Sequence, residues 1–213
     1  MPAASKSEKT QASRDAEATK ARILDAAEFE FAQAGLLGAR TEAIAGKTGV
    51  TKAMLYYYFG DKEGLYLAVL ERAYSRRMAA LQKVDLHALD PEQGLRAFLA
   101  AFLEEVGVNR NLAPIFFYEG IQNQGRFYSK IAMQSLYMPL VELLQRGMEQ
   151  GKFRQMDTFH VAVNIIGMCT FYFCSMENIK HLWAPGTDLL SEQMRNSHKH
   201  ESIEQAVASV LAR

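Results

Sequence analysis

The sequence predicts an all-α protein, with a small N-terminal unit of three helices followed by a larger helical domain. Three observations carry the prediction. Apolar residues recur at three- and four-residue intervals, as in Ile23, Leu24, Ala27, Phe31 and Ala34, which is the period of a helix with one buried face. Helix stops and starts punctuate these runs, at Gly35, Gly60-Asp61, Asp90-Pro91-Glu92, Gly151 and Asp157. Finally, Thr41–Phe59, TEAIAGKTGVTKAMLYYYF, reads as two short helices joined at Gly49. There a small Ala45 permits a close crossing, Gly49 supplies the turn conformation, and Val50 and Leu55 fill the wedge between the helices.

Taken in order, Met1–Ala18 is polar, and residues 1–17 are expected to form a disordered arm. Its Lys6, Lys9 and Arg14 suit a minor groove, but Glu8, Asp15 and Glu17 among them favour an inert tail. A first helix runs from about Ala16 to Ala34 and stops at Gly35. Thr41 caps the second helix, with Glu42 at the positive end of its dipole. The third begins near Thr51 and ends at Gly60, and Asp61 caps a fourth that carries Leu65, Val69 and Ala73 to about Leu81. The N-terminal three-helix unit is therefore placed at residues 18–64, and the second domain at 65–213.

Placed at about 100° per residue, Leu55 and Phe59 of the third helix point inward. Ala53, Met54, Tyr56 and Tyr57 lie on the opposite arc, edged by Thr51, Lys52 and Tyr58. One short helix cannot bury three consecutive tyrosines, so at least one ring faces outward. A phenol can donate to a phosphate, and Lys52 can reach a phosphate or a guanine edge. The competing reading is a plain surface helix. Lys62 adds to the DNA reading, because a cation in the first turn of a helix is unfavourable unless an anion sits there.

The stretch GLLGARTEAIAGKTGVTKAMLYYYFGDKEGLYLAVLERA resembles the DNA-binding segment of the tetracycline-repressor-like (TetR) family of transcriptional regulators. The likeness covers about Thr19–Ala73. It implies an all-helical homodimer that binds a palindromic operator in double-stranded DNA, with a C-terminal domain that takes a small ligand. By that resemblance Thr41 meets a phosphate, and Lys52, Ala53 and Met54 face bases. Tyr56, Tyr57, Tyr58 and Lys62 grip the backbone or nearby bases. Tyr57 and Tyr58 stand where many members carry histidine, and Met54 where many carry threonine, so the operator sequence stays open.

In the second domain, Asp90-Pro91-Glu92 starts a helix bearing Leu95, Phe98, Leu99, Phe102 and Leu103. A short aromatic element, Ala113–Gln122, follows. Phe127–Gln150 reads as a long helix kinked at Pro139. Thr158–Lys180 is apolar on nearly every side, so one face needs the core and the other a partner. A last helix near Glu201–Leu211 offers Ile203, Ala206, Val207, Val210 and Leu211. Two such helices (about 158–180 and 201–211) paired with their symmetry mates make a four-helix dimer interface, and the alternative is a larger monomeric core. Phe98, Phe102, Phe116, Phe117, Met133, Tyr137, Met168 and Phe171, with Glu119 and Asn164 as polar anchors, suit a pocket for a mostly apolar ligand. The pocket itself is implied by the resemblance. A regulator without a small-molecule effector, using this domain only for dimerisation or a protein partner, is the alternative.

Composition bounds the remainder. The 213 residues, 49% of them hydrophobic, suffice for a sizeable core. The 24 basic residues balance 24 acidic ones, so DNA recognition must come from local donors rather than an overall field. Cys169 and Cys174 lie five positions apart on one helix and diverge, so no disulfide framework is expected. No leader and no membrane-length apolar run is visible, which points to a cytoplasmic protein. Glu177 with His181, and His198 with His200, fall short of a metal site. With no GxGxxG, P-loop, GxSxG or HExxH, neither cofactor nor enzymatic activity is expected.

Overall fold

The computed structural model describes residues 6–131 and 134–212. Its helices are α1 (Lys6–Gly38), α2 (Thr41–Thr48), α3 (Lys52–Phe59), α4 (Lys62–Leu81), α5 (Pro91–Val108), α6 (Leu112–Gln122), α7 (Gln134–Glu149), α8 (Thr158–Cys174), α9 (Met176–Ile179) and α10 (Glu192–Val210). Among the described residues there is no strand, only an isolated bridge between Phe153 and Leu211. The all-helical class expected from the periodicity is the observed one.

Several boundaries move, each for a physical reason. α1 begins at Lys6, so residues 6–17 are helical instead of a disordered arm. They are mostly good helix formers with neither Gly nor Pro, and that propensity extends a helix anchored further on. Residues 1–5 lie outside the described residues. Gly35 does break the helical path, at φ 65°. The positive φ is what favours glycine there, since the amide end of Gln122, which a β-carbon would meet, can move aside. Arg40, in extended conformation, stands at the N-cap of α2, and Thr41 is the first helical residue rather than the cap. The caps expected at Asp61, Asp90 and Asp157 are formed, each carboxylate accepting backbone N–H groups of the first turn.

In the second half, residues 127–131 form turns and α7 starts only at Gln134, running through Pro139. The turns send Phe127 and Ile131 into the N-terminal core, with the Phe127 N–H donated to the buried Glu119 carboxylate at 2.7 Å. α8 stops at Cys174, and the chain bends by 67° at the break before Met176, where the Ser175 hydroxyl donates to Phe171 O at 2.6 Å. α10 starts at Glu192, well ahead of Glu201, because Met194 in the larger core and His198 on Tyr172, together with polar contacts to α5, hold its first half. Lys199 pairs with Glu104 at 3.0 Å, and Arg195 donates to Gly107 O at 3.2 Å. Ala206, Val207 and Val210, expected at a dimer seam, are buried within the protomer.

Two apolar clusters organise the chain. The N-terminal one gathers Ile23, Ala27, Phe31, Ile44 and Leu55 from α1–α3 with Leu65, Tyr66, Val69 and Leu70 from α4, closed by Ile115, Phe127 and Ile131. The larger one packs α5, α7, α8 and α10 around Phe98, Phe102, Leu140, Leu144, Phe173 and Val207. A buried ionic link ties α1 to α4 and to the α5–α6 turn. Arg72 donates to Asp25 at 2.7 Å and to Glu28 at 2.9 Å, and Asn109 donates to Glu28 at 2.5 Å.

Two outcomes test this packing. A β-carbon at Gly147 would run into the buried Phe153 ring, so Gly147→Ala is expected to cost about 1–3 kcal/mol of unfolding free energy, read from the urea midpoint. His198 of α10 stacks on Tyr172 of α8, its centroid 4.4 Å away, and burial pulls its pKa below the ordinary 6.5. The unfolded chain then binds the proton more readily, so this contribution is complete above pH 6.5 and is lost as pH falls below it. Replacing the imidazole by the uncharged amide in His198→Asn should flatten the stability slope just below that pH.

Candidate nucleic-acid interface and internal cavity

Gly49, at φ 70°, makes the left-handed turn that sets α3 across α2. Leu55 is fully buried beneath α3. The Thr51 hydroxyl caps α3 by accepting the Met54 N–H at 3.2 Å. These anchors aim Thr51, Lys52, Ala53, Met54 and Tyr57 at solvent. Tyr57 is 84% exposed, its ring edge-on to Tyr58 at 5.3 Å. Tyr56 and Tyr58 are half-buried. An exposed apolar arc on a short capped helix offers methyl groups, a thioether and an aromatic face to a groove.

The cations around it already have partners within the chain. Lys52 Nζ donates to Glu42 Oε1 at 2.5 Å, and that bond holds the Glu42 carboxyl below its usual range and the Lys52 ammonium above its own. Lys47 pairs with Glu30 at 3.7 Å, and Lys20 with Glu17 at 2.9 Å. Pairs this exposed contribute little to stability and exchange readily for phosphates. Lys62 donates to Leu37 O at 3.0 Å, so this cation faces the carbonyl end of α1, which accounts for it without an anion. Thr41 is buried, its hydroxyl 3.4 Å from that of Tyr56. Arg40, which the sequence reading passed over, is exposed beside the N-terminus of α2, and no side chain caps that end.

Below the headpiece, a cavity of about 200 Å³ lies among α4–α8 and is lined by Phe102, Phe116, Phe117 and Tyr137, four of the expected residues. The other expected residues fall elsewhere. Phe98 stacks behind Phe102, with centroids 6.4 Å apart. Glu119 is buried in the headpiece contact, where it accepts from Phe127 N and from Asn123 at 2.6 Å. Met168 packs against the larger core. Asn164 and Phe171 stand exposed on the outer face of α8. Met133 lies outside the described residues. A helical period alone leaves the facing of such residues open, and the core's packing on Ala162, Ile165, Ile166 and Cys169 leaves Phe171 on the bare side of α8.

Arg77, Tyr128, Thr170 and Cys174 also line the cavity. Arg77 was legible in principle, since it continues the buried stripe Val69, Ala73 at four-residue spacing. It is 6% exposed, and burial lowers its pKa. The Tyr128 hydroxyl donates to Phe116 O at 3.0 Å, and burial raises the pKa of Tyr128 and Tyr137. Burial also pushes Cys174 up to about 11 and Cys169 to about 12, so neither is a ready thiolate. A wider cleft of about 560 Å³ is bordered by Arg110, Glu177, Lys180 and Asp188, all exposed. Among the described residues, no group of three or more His, Cys, Asp or Glu side chains could hold a metal ion, and no single helix is long and apolar enough to cross a membrane.

Comparison with known proteins agrees with this geometry. Residues 23–69 match the family model of bacterial regulatory proteins of the tetR family, and residues 91–207 match that of the tetracyclin repressor-like C-terminal domain. The chain is 29% identical over 188 residues to the HTH-type transcriptional repressor NicS of Pseudomonas putida, covering 85% of this chain and 87% of that one. It is 30% identical over 141 residues to the HTH-type transcriptional repressor SCO4008 of Streptomyces coelicolor, covering 66% of this chain and 70% of the other. The structure of the ketosteroid transcriptional regulator KstR2 of Mycobacterium tuberculosis superposes with a TM-score of 0.71 at 20% identity, over 91% of this chain and 95% of that one, a likeness of fold. The second family model alone spans more than half of the sequence, and the chain belongs to the tetR family of bacterial regulatory proteins, DNA-binding transcriptional regulators rather than enzymes.

Proposed function

We propose that the protein is a cytoplasmic repressor that binds a palindromic operator as a homodimer and leaves it when a small, largely apolar ligand enters the α4–α8 cavity. The observation that carries the DNA reading is the solvent-facing arc of α3, where Tyr57 is 84% exposed beside Met54 and Lys52. A folded monomer gains nothing from that arrangement, whereas a duplex covers it. Two such helices set about 34–36 Å apart would read successive major grooves. The relatives in Pseudomonas putida and Streptomyces coelicolor are repressors, which supports repression.

Dimerisation rests on α8. Phe159, Val163, Gly167 and Phe171 are exposed at four-residue spacing, forming an apolar stripe that the protomer leaves bare. α10 contributes Ser197, Glu201, Gln205 and Ala208, also exposed, so the seam combines an apolar helix with a polar one. Ligand control rests on the cavity's position, since α4 lines it through Arg77 and touches α3 at its other end.

Three measurements test the reading. Operator affinity should fall about tenfold in Tyr57→Ala and in Lys52→Ala, with far-UV spectra unchanged. If both variants bind like the parent, the assignment of α3 fails. Lys62→Ala should lower the slope of log K against log salt by about one where the ammonium neutralises a phosphate; an unchanged slope with reduced melting temperature leaves it only the α1 carbonyl. Phe171→Glu places a charge in the α8 seam and should halve the mass found by sedimentation, since a desolvated, unpaired carboxylate opposes association.

A further inference from the structure

Among the described residues, four arginines carry a buried Nε without a hydrogen-bond partner, namely Arg72, Arg77, Arg146 and Arg195. Three of them place at least one terminal nitrogen on a protein acceptor. Arg72 reaches Asp25 and Glu28, Arg146 the carbonyls of Leu86 and Leu89, and Arg195 that of Gly107. Among the described residues, Arg77 alone of the four donates to no protein group and pairs with no carboxylate. Glu105 acts on it electrostatically from beyond ion-pair distance.

Arg77 is nonetheless 6% exposed and lies against two aromatic faces, its guanidinium carbon 4.7 Å from the Phe116 centroid and 5.3 Å from that of Phe102. Aromatic faces return part of the cost of dehydrating a guanidinium but satisfy none of its in-plane donors. A buried cation with unmet donors is a costly arrangement. The donors have one place left to point, because the guanidinium is part of the wall of the cavity. The Tyr137 hydroxyl lines the same wall and, among the described residues, also lacks a protein hydrogen bond.

We propose that the α4–α8 cavity is a site for a small organic monoanion, whose carboxylate pairs with the planar fork of Arg77 and accepts from Tyr137 while its apolar body lies on Phe102, Phe116 and Phe117. The guanidinium geometry matches a carboxylate bidentately. The cavity of about 200 Å³ is smaller than the roughly 300–1,000 Å³ of drug-sized pockets, which selects an acid of about one ring. The claim deepens the reading of the protein as ligand-controlled and rests on it for its biological meaning, but not for the binding event.

The test uses the full chain with 3-phenylpropionate and its uncharged amide, followed by calorimetry and melting temperature in the parent, Arg77→Met and Arg77→Lys. The acid is expected to bind the parent at least about tenfold more tightly than the amide. That preference should vanish in Arg77→Met and return in part in Arg77→Lys. Arg77→Met without ligand should melt no lower than the parent, since it removes an unpaired buried charge. Equal binding of acid and amide overturns the proposal, as does failure of both to bind the parent, or a preference for the acid that survives in Arg77→Met. If the acid binds through Arg77 yet leaves the operator complex intact, the anion site stands and ligand-controlled release fails.

Discussion

α4 has to be buried in two places at once, and most of the architecture follows from that constraint. Leu65, Tyr66, Val69 and Leu70 close the N-terminal core, while Leu81, further along the same helix, belongs to the larger one. The N-terminal helices do not complete their own interior either. Ile115 of α6 and Phe127 and Ile131 of the following turns finish it. A three-helix unit of this size buries too little surface to be comfortably stable alone, and here it shares the deficit with its neighbour. The Arg72–Glu28–Asn109 bonds reinforce the same junction. A boundary drawn at residue 64 therefore cuts through one continuous core, and α3 is positioned in part by residues more than fifty positions away.

The DNA-facing surface illustrates how a chain without net charge can still address a polyanion. Three of its lysines are paired, Lys52 with Glu42, Lys47 with Glu30 and Lys20 with Glu17, while Arg40 stands exposed. The Lys52 and Lys20 pairs are exposed and so have a small stake in staying together. Non-specific attraction is thereby muted, and a phosphate must be placed correctly to win a lysine from its carboxylate. The uncharged part of the face, Met54 and the Tyr57 ring, is exposed as well, and such groups are suited to discrimination by shape and apolar contact.

Glu119 and Arg77, two of the buried charges near this junction, differ in a way that separates structure from binding. Glu119 is fully buried but accepts from Phe127 N and Asn123, and it adds to the burial that raises the Tyr66 pKa. It serves the fold. Arg77 is almost as buried, has two aromatic rings and no acceptor. The charged side chain lining the cavity is thus Arg77 of α4, while Glu119, expected there with the pocket that the resemblance implies, lies elsewhere.

Local chemistry was legible in the sequence: the helical class, the Asp caps of α4, α5 and α8, the glycine turn at Gly49, and a tyrosine on α3 that no core could hold. Those features depend on neighbours within four residues, where helix geometry leaves few choices. The start of α10 was not legible, because isolated contacts to distant helices, Met194 in the larger core, His198 on Tyr172 and Lys199 on Glu104, rather than a sustained apolar period hold it in place. Nor was the fate of Phe171, Asn164 and Glu119, since a helix apolar on every side does not say which side its neighbours occupy. Packing between distant segments decided which aromatics surround a cavity, which form a bare stripe, and which arginine was left without an acceptor.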